Sequence, residues 1–366
     1  MAINDKLLDS AIKHQIDLQH YANGVVKRML VILNKSDAAL FAELMAQLDK
    51  MTSTSFNVKK LDKLLSATRD LNAAAYADVL AELEKELADF VEYEASYQQQ
   101  AMSKVLPVQV TIAHISADQA YTAANARPFQ GKLLKEWMDG LETDKATRIR
   151  DTIRTGYVNN ETIVQMVRRI KGSKAANYAD GILEINRRNA TTVVRTAIGH
   201  YAAFTRNEFL QANSEVIKLV QWSSTLDGRT SEPCRLRDGK NYTLDHQPIG
   251  HSLEWGGGAG NYHMNCRSSS FGIIKSWKDL GLKESDIPIG TRASMNGQVP
   301  ADLTYGEWLK KQGANLQDEV LGQTKGKLFR RSGLTIEQFA NNKGKSYTLK
   351  ELRERDAAAF KRAGIN

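Results

Sequence analysis

Only two cysteines occur in 366 residues, and one of them closes a His-x-x-Cys pair, His263 and Cys266, inside "YHMNCRSSSFG". The other, Cys234, lies 32 residues upstream in "TLDGRTSEPCRLRDG", close in sequence to Asp227 and Arg229. Two thiolates and an imidazole are ligands that zinc accepts in a tetrahedral set. A fourth could come from His246, His251 or Asp227. The same residues leave other outcomes open: a Cys234–Cys266 disulfide, two structural cysteines packed together, or a thiol nucleophile served by a histidine. For the last, His263 and Cys266 on an extended strand would point to opposite faces. Cys234 with His263 would need the fold to unite them. Asp227 and Arg229 flank Gly228 in an expected turn. They could hold phosphate or do acid–base work, but an Asp that bonds its own backbone and an Arg that clamps a carboxylate is the structural expectation.

The elements around these residues read as a small β-rich unit over about residues 216–275. "VIKLVQWSS" and "CRSSSFGII" have strand composition, "KNYTL" reads as a short strand, and "LDGR" and "RDGK" are Asp-Gly turn signals. Gly256, Gly257, Gly258 and Gly260 form a loop that lacks the Lys-Ser/Thr ending of a phosphate-binding loop. Trp222, Trp255 and Trp277 are the expected core of this unit. So little apolar material makes a metal a natural source of cohesion.

Helices should carry the rest. The first 106 residues lack proline and the first 130 hold one glycine, Gly24, so neither residue type interrupts a helix there. Tyr76, Leu80, Leu83, Leu87, Phe90, Glu94 and Tyr97 recur at steps of four and three, giving an apolar stripe that Glu94 breaks. An antiparallel bundle within the chain is the expected way to bury it. Around Pro107 the pattern stops. Helical periodicity resumes in short segments and then in "NATTVVRTAIGHYAAFTRNEFLQAN", with Val194, Ala197, Ile198, Tyr201 and Phe204 or Thr205 on one face and Arg195 and Arg206 toward solvent. His200 and Tyr201 are expected at the edge of the core. Beyond Trp277 the chain should return to helices, with capping-box spacing at Thr304/Glu307 and Thr348/Glu351.

Composition narrows the function classes. With 42% hydrophobic and 25% charged residues the chain is of ordinary globular type, and its richest apolar run, Met29 to Leu33, is far short of the roughly 20 residues of a membrane span, so no membrane partner is expected. The N-terminal "MAINDKLLDS" has no secretory pattern, and two cysteines argue against a disulfide framework, so synthesis in a reducing cytoplasm is expected. Residues 1–105 hold 12 basic and 15 acidic residues, a net of −3, which leaves +11 for the remainder. From Lys325 onward there are 11 basic residues against 4 acidic ones, a balance that suits either nucleic acid or a solvated basic surface. Candidate phosphate contacts are Lys325, Lys327, Arg330, Arg331, Lys361 and Arg362.

In order, "VVRTAIGHYAAFTRNEF", "QWSSTLDGRTSEPCRLRDGK" and "YHMNCRSSSFG" resemble the phage Mu F-like head morphogenesis family, the minor head proteins of tailed bacteriophages. The resemblance falls on Arg195 and Thr196, Trp222, Asp227 to Thr230 with Arg229, Cys234, Asp238 with Gly239, and His263 to Arg267 with Cys266. It spans about residues 185–275, and the helices after Trp308, Leu309 and Val320 to Gly322 are similar to those that trail such proteins. Two departures stand out. Ile198 takes a place where an acidic residue is common, and Ser268 stands where many members carry another cysteine, which removes a potential fourth thiolate.

The reading is a mainly α chain with a small β-rich module (α+β). It comprises a helical N-terminal domain (1–106), a helical connecting region (107–188), an F-like module (189–276) and a helical, basic C-terminal region (277–366). The resemblance implies a low-copy head protein that enters during prohead assembly, contacts portal, capsid or scaffold proteins and the packaged double-stranded DNA, resides in the virion and can leave with the genome. No catalytic residue is assigned; a structural zinc on Cys234, His263 and Cys266 is the one cofactor the residues could hold. The competing reading is a metal-dependent nuclease or processing enzyme built on Asp227, Cys234, His263 and Cys266.

Overall fold

A computed structural model describes residues 3–48, 58–106, 110–159, 161–276, 280, 291–300 and 302–365. Pro107 and Trp277 lie outside the described residues. The chain begins with two long helices, α1 (Ile3–Leu48) and α2 (Val58–Ser103). Four more follow: α3 (Ala117–Asn125), α4 (Leu134–Val158), α5 (Ile163–Lys171) and α6 (Ile182–Ala212). The β-rich part comprises β1 (Ile217–Ser223), the short helix α7 (Glu232–Arg237), β2 (Asn241–Tyr242), β3 (Pro248–Ile249) and β4 (Ser269–Ile274). A hairpin of β5 (Thr291–Ser294) and β6 (Gly297–Pro300) precedes α8 (Tyr305–Lys310), α9 (Ala314–Leu321), α10 (Gln323–Arg331), α11 (Leu349–Arg355) and α12 (Ala357–Ala363). The fold is thus mainly α with a small antiparallel β component. The hairpin corrects the expectation that only helices follow Trp277: Thr291↔Pro300 to Ser294↔Gly297 pair around a tight turn, and Gly297 sits at φ +105°, where a side chain would strain the backbone.

The chain forms two compact units, each assembled from separated stretches: residues 1–19, 92–120 and 202–366 in one, residues 20–91 and 121–201 in the other. We call them the sheet unit and the helical unit.

In the helical unit, α1 and α2 run antiparallel. Tyr21 hydroxyl donates to the Glu86 carbonyl (3.1 Å) and carboxylate (3.0 Å), and farther along Ser36 reaches the Leu71 carbonyl. The expected stripe is buried at Tyr76, Leu83, Leu87 and Phe90, but Val79 is buried more completely than Leu80. Leu40 and Leu44 of α1 and Leu64 and Leu65 of α2 share a core with Ile149 and Ile153 of α4, Ile170 of α5 and Leu183 of α6. A bundle inside the chain therefore buries the stripe, since the long helices satisfy their own backbone and need only apolar partners. His200 and Tyr201 are buried rather than at the edge of a core: the imidazole Nε2 meets the Ala124 carbonyl at 3.1 Å and the phenol donates to Asn125 at 2.7 Å.

In the sheet unit the strand order is β3-β2-β1-β4, all antiparallel. Trp222 lies opposite Ser270 and Val220 opposite Gly272, with an irregularity between Ile217 and Leu219. Gly272 has no side chain for a reason: a Cβ there would fall 2.8 Å from Leu210 of α6 and 2.9 Å from Ile217. Trp222, Trp255, Tyr242, Phe271, Phe209 and Val220 form the core together with Leu7, Leu8, Met102 and Leu106, so two of the three expected tryptophans are placed as anticipated. A second core gathers Leu226, Tyr305, Trp308, Leu309, Leu328, Phe329, Phe339, Leu352 and Phe360 from the C-terminal helices. Both expected capping boxes form, with Thr304 accepting from the Glu307 N–H and Thr348 from the Glu351 N–H.

Two expectations about charge are corrected here. Arg206 does not face solvent; it is 3% exposed and donates to Ser269 Oγ at 2.7 Å. Glu94 does not merely interrupt the stripe. It is fully buried, 2.5 Å from His14 Nε2, and accepts from Gln98. Desolvation would raise its carboxyl, but the His14 hydrogen bond and charge, with the Arg206 charge, hold it below the ordinary range.

Candidate metal centre

Ser231 begins α7 and Pro233 occupies its first turn, where proline's missing N–H costs nothing. This short helix, absent from the sequence reading, directs Cys234 inward, where it is 1% exposed. His263 and Cys266 lie in a tight turn rather than on a strand. The Cys266 N–H donates to the His263 carbonyl at 3.1 Å, and Asn265 takes φ +56°. The turn removes the alternation that would point the two side chains apart. Cys234 Sγ is 3.8 Å from Cys266 Sγ and 3.4 Å from His263 Nε2, and the three donor atoms all lie within 4.8 Å of one another.

Neighbouring groups orient the trio. His263 Nδ1 is 2.8 Å from the Met264 carbonyl, so this nitrogen carries the proton when the ring is neutral and Nε2 turns its lone pair to the sulfurs. Ser231 Oγ is 2.7 Å from that Nε2 and makes no cap bond of its own helix. Ser224 Oγ donates to the Cys234 carbonyl and lies 3.4 Å from Ser268 Oγ. The hydrogen bond from Cys234 draws Cys266 well below the usual thiol range, with His263 acting in the same direction, and Cys234 is pushed up because its proton is retained in that bond. The Cys266 thiolate in turn raises His263.

None of the three expected fourth ligands joins them among the described residues. His246 stacks on Trp255 with centroids 4.5 Å apart; His251 is engaged with the Asn241 carbonyl and the Leu253 N–H. Asp227 is held by Arg267 in a bidentate pair at 2.6 and 2.8 Å. Burial alone would raise the Asp227 carboxyl, but Arg267, the Arg229 N–H and the Thr230 hydroxyl bring it below the usual carboxylate range. The clamp expected from Arg229 thus comes from Arg267: the Arg229 side chain is 82% exposed and 4.0 Å away. Both Asp227 oxygens being tied, it is poorly placed to act as a general base.

Asp238 does more than begin a turn. It is fully buried, accepts from the Ser224 and Tyr305 N–H groups at 2.7 and 2.8 Å, and pairs with both terminal nitrogens of Arg292. Gly239 follows at φ +74° and donates to the Trp222 carbonyl, so glycine is needed to bring this corner against β1. Sequence reasoning missed Arg292, 54 residues away, for which no local signal exists, and Ser231, whose position ahead of Glu-Pro was a readable helix start. Trp222 fills the centre, its indole N–H donating to Ser224 and its ring meeting Trp255 and Tyr262 edge-on.

The remaining sequence candidates lie apart from this cluster. In the helical unit, exposed Arg195 donates to Asn23 and buried Thr196 to the Thr192 carbonyl one turn earlier. Of the basic set, Lys325 bonds Ser346, Lys327 the Gly364 carbonyl, Arg330 the Asp318 carboxylate and Arg362 the Ser332 carbonyl, while Arg331 and Lys361 are exposed. No helix among the described residues is long and apolar enough to cross a membrane.

Comparison with known proteins gives one match. Residues 146–271 fit the family model described as Phage Mu protein F like protein, a stretch that begins in α4 and takes in the whole Cys234–His263–Cys266 cluster with Asp227, Asp238 and Arg267. No curated protein and no solved structure matches the chain. The match begins at residue 146, earlier than the motifs alone indicated. The matched stretch, about a third of the chain, is the region that builds α6, β1, α7 and the Cys/His turn, and there the chain is similar to the phage Mu protein F-like family.

Proposed function

We propose that the protein is a minor head component of a tailed bacteriophage, incorporated during prohead assembly close to the portal and the packaged DNA and able to leave with the genome. The observation that carries this reading is the family match over residues 146–271. The character of the site supports a structural rather than an enzymatic role, because Asp227 and Asp238 are both consumed by arginine pairs that close the module. The charge distribution agrees with a chain that docks on protein and meets nucleic acid, with a net of −3 over residues 1–105 and +11 over the rest. The test is quantitative mass spectrometry of purified particles and of empty proheads, counting this chain against the portal protein. A low, fixed copy number in both is expected. Absence from both overturns the reading.

A further inference from the structure

We propose that Cys234, His263 and Cys266 hold one zinc ion, which fastens α7 to the turn that leads into β4. The ion's own geometry carries the argument. Two thiolates at about 2.3 Å from a tetrahedral zinc stand about 3.8 Å apart, and a thiolate and an imidazole nitrogen about 3.5 Å apart. The corresponding separations are 3.8 Å between the two sulfurs and 3.4 Å between Cys234 Sγ and His263 Nε2. A hydrogen-bonded thiol pair would account for the first edge of this triangle; the second brings the imidazole Nε2, which also meets Ser231 Oγ, to the same sulfur. The ring is fixed from behind, since Nδ1 is anchored on the Met264 carbonyl, the outer contact that ligating histidines use to set tautomer and ring plane.

The surroundings fit the same ion. Two soft thiolates with one imidazole favour zinc over magnesium or calcium, which take oxygen ligands. Cys234 and Cys266 are both buried, 1% and 8% exposed, while His263 is only partly so, leaving one side of the triangle open. Ser231 Oγ, 2.7 Å from Nε2, is a neighbouring hydroxyl that a water molecule bound as the fourth ligand could meet. Cys234 and the His263–Cys266 turn are far apart in sequence and joined by a glycine-rich loop, so an ion bridging them closes a long segment that apolar packing secures only in part.

The proposal is separate from the function above: it concerns what closes the module, wherever the protein resides. Full-length protein, purified under reducing conditions without added chelator, should contain one zinc per chain. Cobalt(II) exchanged into the wild-type protein should give intense visible bands and the near-ultraviolet charge transfer of a thiolate-bound tetrahedral ion. Cys266→Ser, checked for its helical signal by circular dichroism, should lose both the zinc and the cobalt spectrum. Zinc-free wild-type protein with two free thiols overturns the proposal. So does a mass two hydrogens lighter, which marks a Cys234–Cys266 disulfide, or full zinc content in folded Cys266→Ser. If the variant does not fold, the wild-type cobalt spectrum decides: without thiolate charge transfer, the proposal fails.

Discussion

Among the described residues each unit contains one buried aspartate paired with cations, Asp37 and Asp238, and the two are used differently. In the helical unit Asp37 lies between Lys145 and Arg187, each at 2.6 Å, and links α1, α4 and α6. Those helices already share the apolar core of Leu40, Ile149, Ile153 and Leu183. In the sheet unit Asp238 joins the end of β1, the end of α7, β5 and the start of α8 through Ser224, Arg292 and Tyr305. Here the strands are as short as two residues, and two of the bonds go to backbone N–H groups that have to be satisfied somewhere. Long helices can hold a charge cluster as an addition to packing. A corner built from short strands and loops uses one as a joint.

The largest effect should come from breaking that joint. Arg292→Ala strands a fully buried carboxylate and should cost about 3–5 kcal/mol in denaturant titration. Replacing the pair, Asp238→Leu with Arg292→Met, should recover only part of the loss, because the Ser224 and Tyr305 N–H groups then go unpaired at about 1–3 kcal/mol each. The matching replacement in the helical unit, Asp37→Leu with Lys145→Met, should be near neutral or stabilising by about 1–4 kcal/mol, since Arg187 retains Glu184 and packing replaces the charges. Equal losses for the two double variants would dissolve the contrast.

Acid should separate the units by pH. His200, buried and bonded to the Ala124 carbonyl, has its pKa lowered chiefly by desolvation. In the unfolded chain it binds its proton first, so its contribution is complete above about pH 6.5 and is lost as pH falls below that. Asp227, lowered in spite of burial by Arg267, contributes fully above about pH 3.9 and loses that contribution as pH falls through the carboxylate range. Thermal melts against pH should therefore lose the higher limb in His200→Phe and the lower limb in Asp227→Asn. A lower limb unchanged in Asp227→Asn would mean that Arg267 does not stabilise this turn.

The smallest effect on stability belongs to the exposed basic residues. Arg331→Ala with Lys361→Ala should shift stability by no more than about 0.5 kcal/mol. If these side chains meet phosphates, the slope of log affinity against log salt for duplex DNA should shrink by about 0.9 for each. An unchanged slope would leave them as solvated surface.

Local patterns in the sequence determined the helical N-terminal stretch, the stripe through Tyr76, Leu83, Leu87 and Phe90, the capping boxes at Thr304 and Thr348, and the strands around Trp222 and Ser270. Each depends on residues within a few positions of one another, where backbone propensity and periodic apolarity act directly. The motifs also marked Cys234, Asp238, His263, Cys266 and Arg267. What only the tertiary structure decided was the meaning of the polar residues. Arg206 was expected in solvent and Arg229 on a carboxylate, yet Arg206 is buried beside Ser269 and the Arg229 side chain is the exposed one. Asp238 receives its partner from 54 residues away, and His263 meets Cys234 only because a turn replaced the expected strand. A charge looks the same in sequence whether water or a distant partner will stabilise it, and only the folded chain supplies the partner.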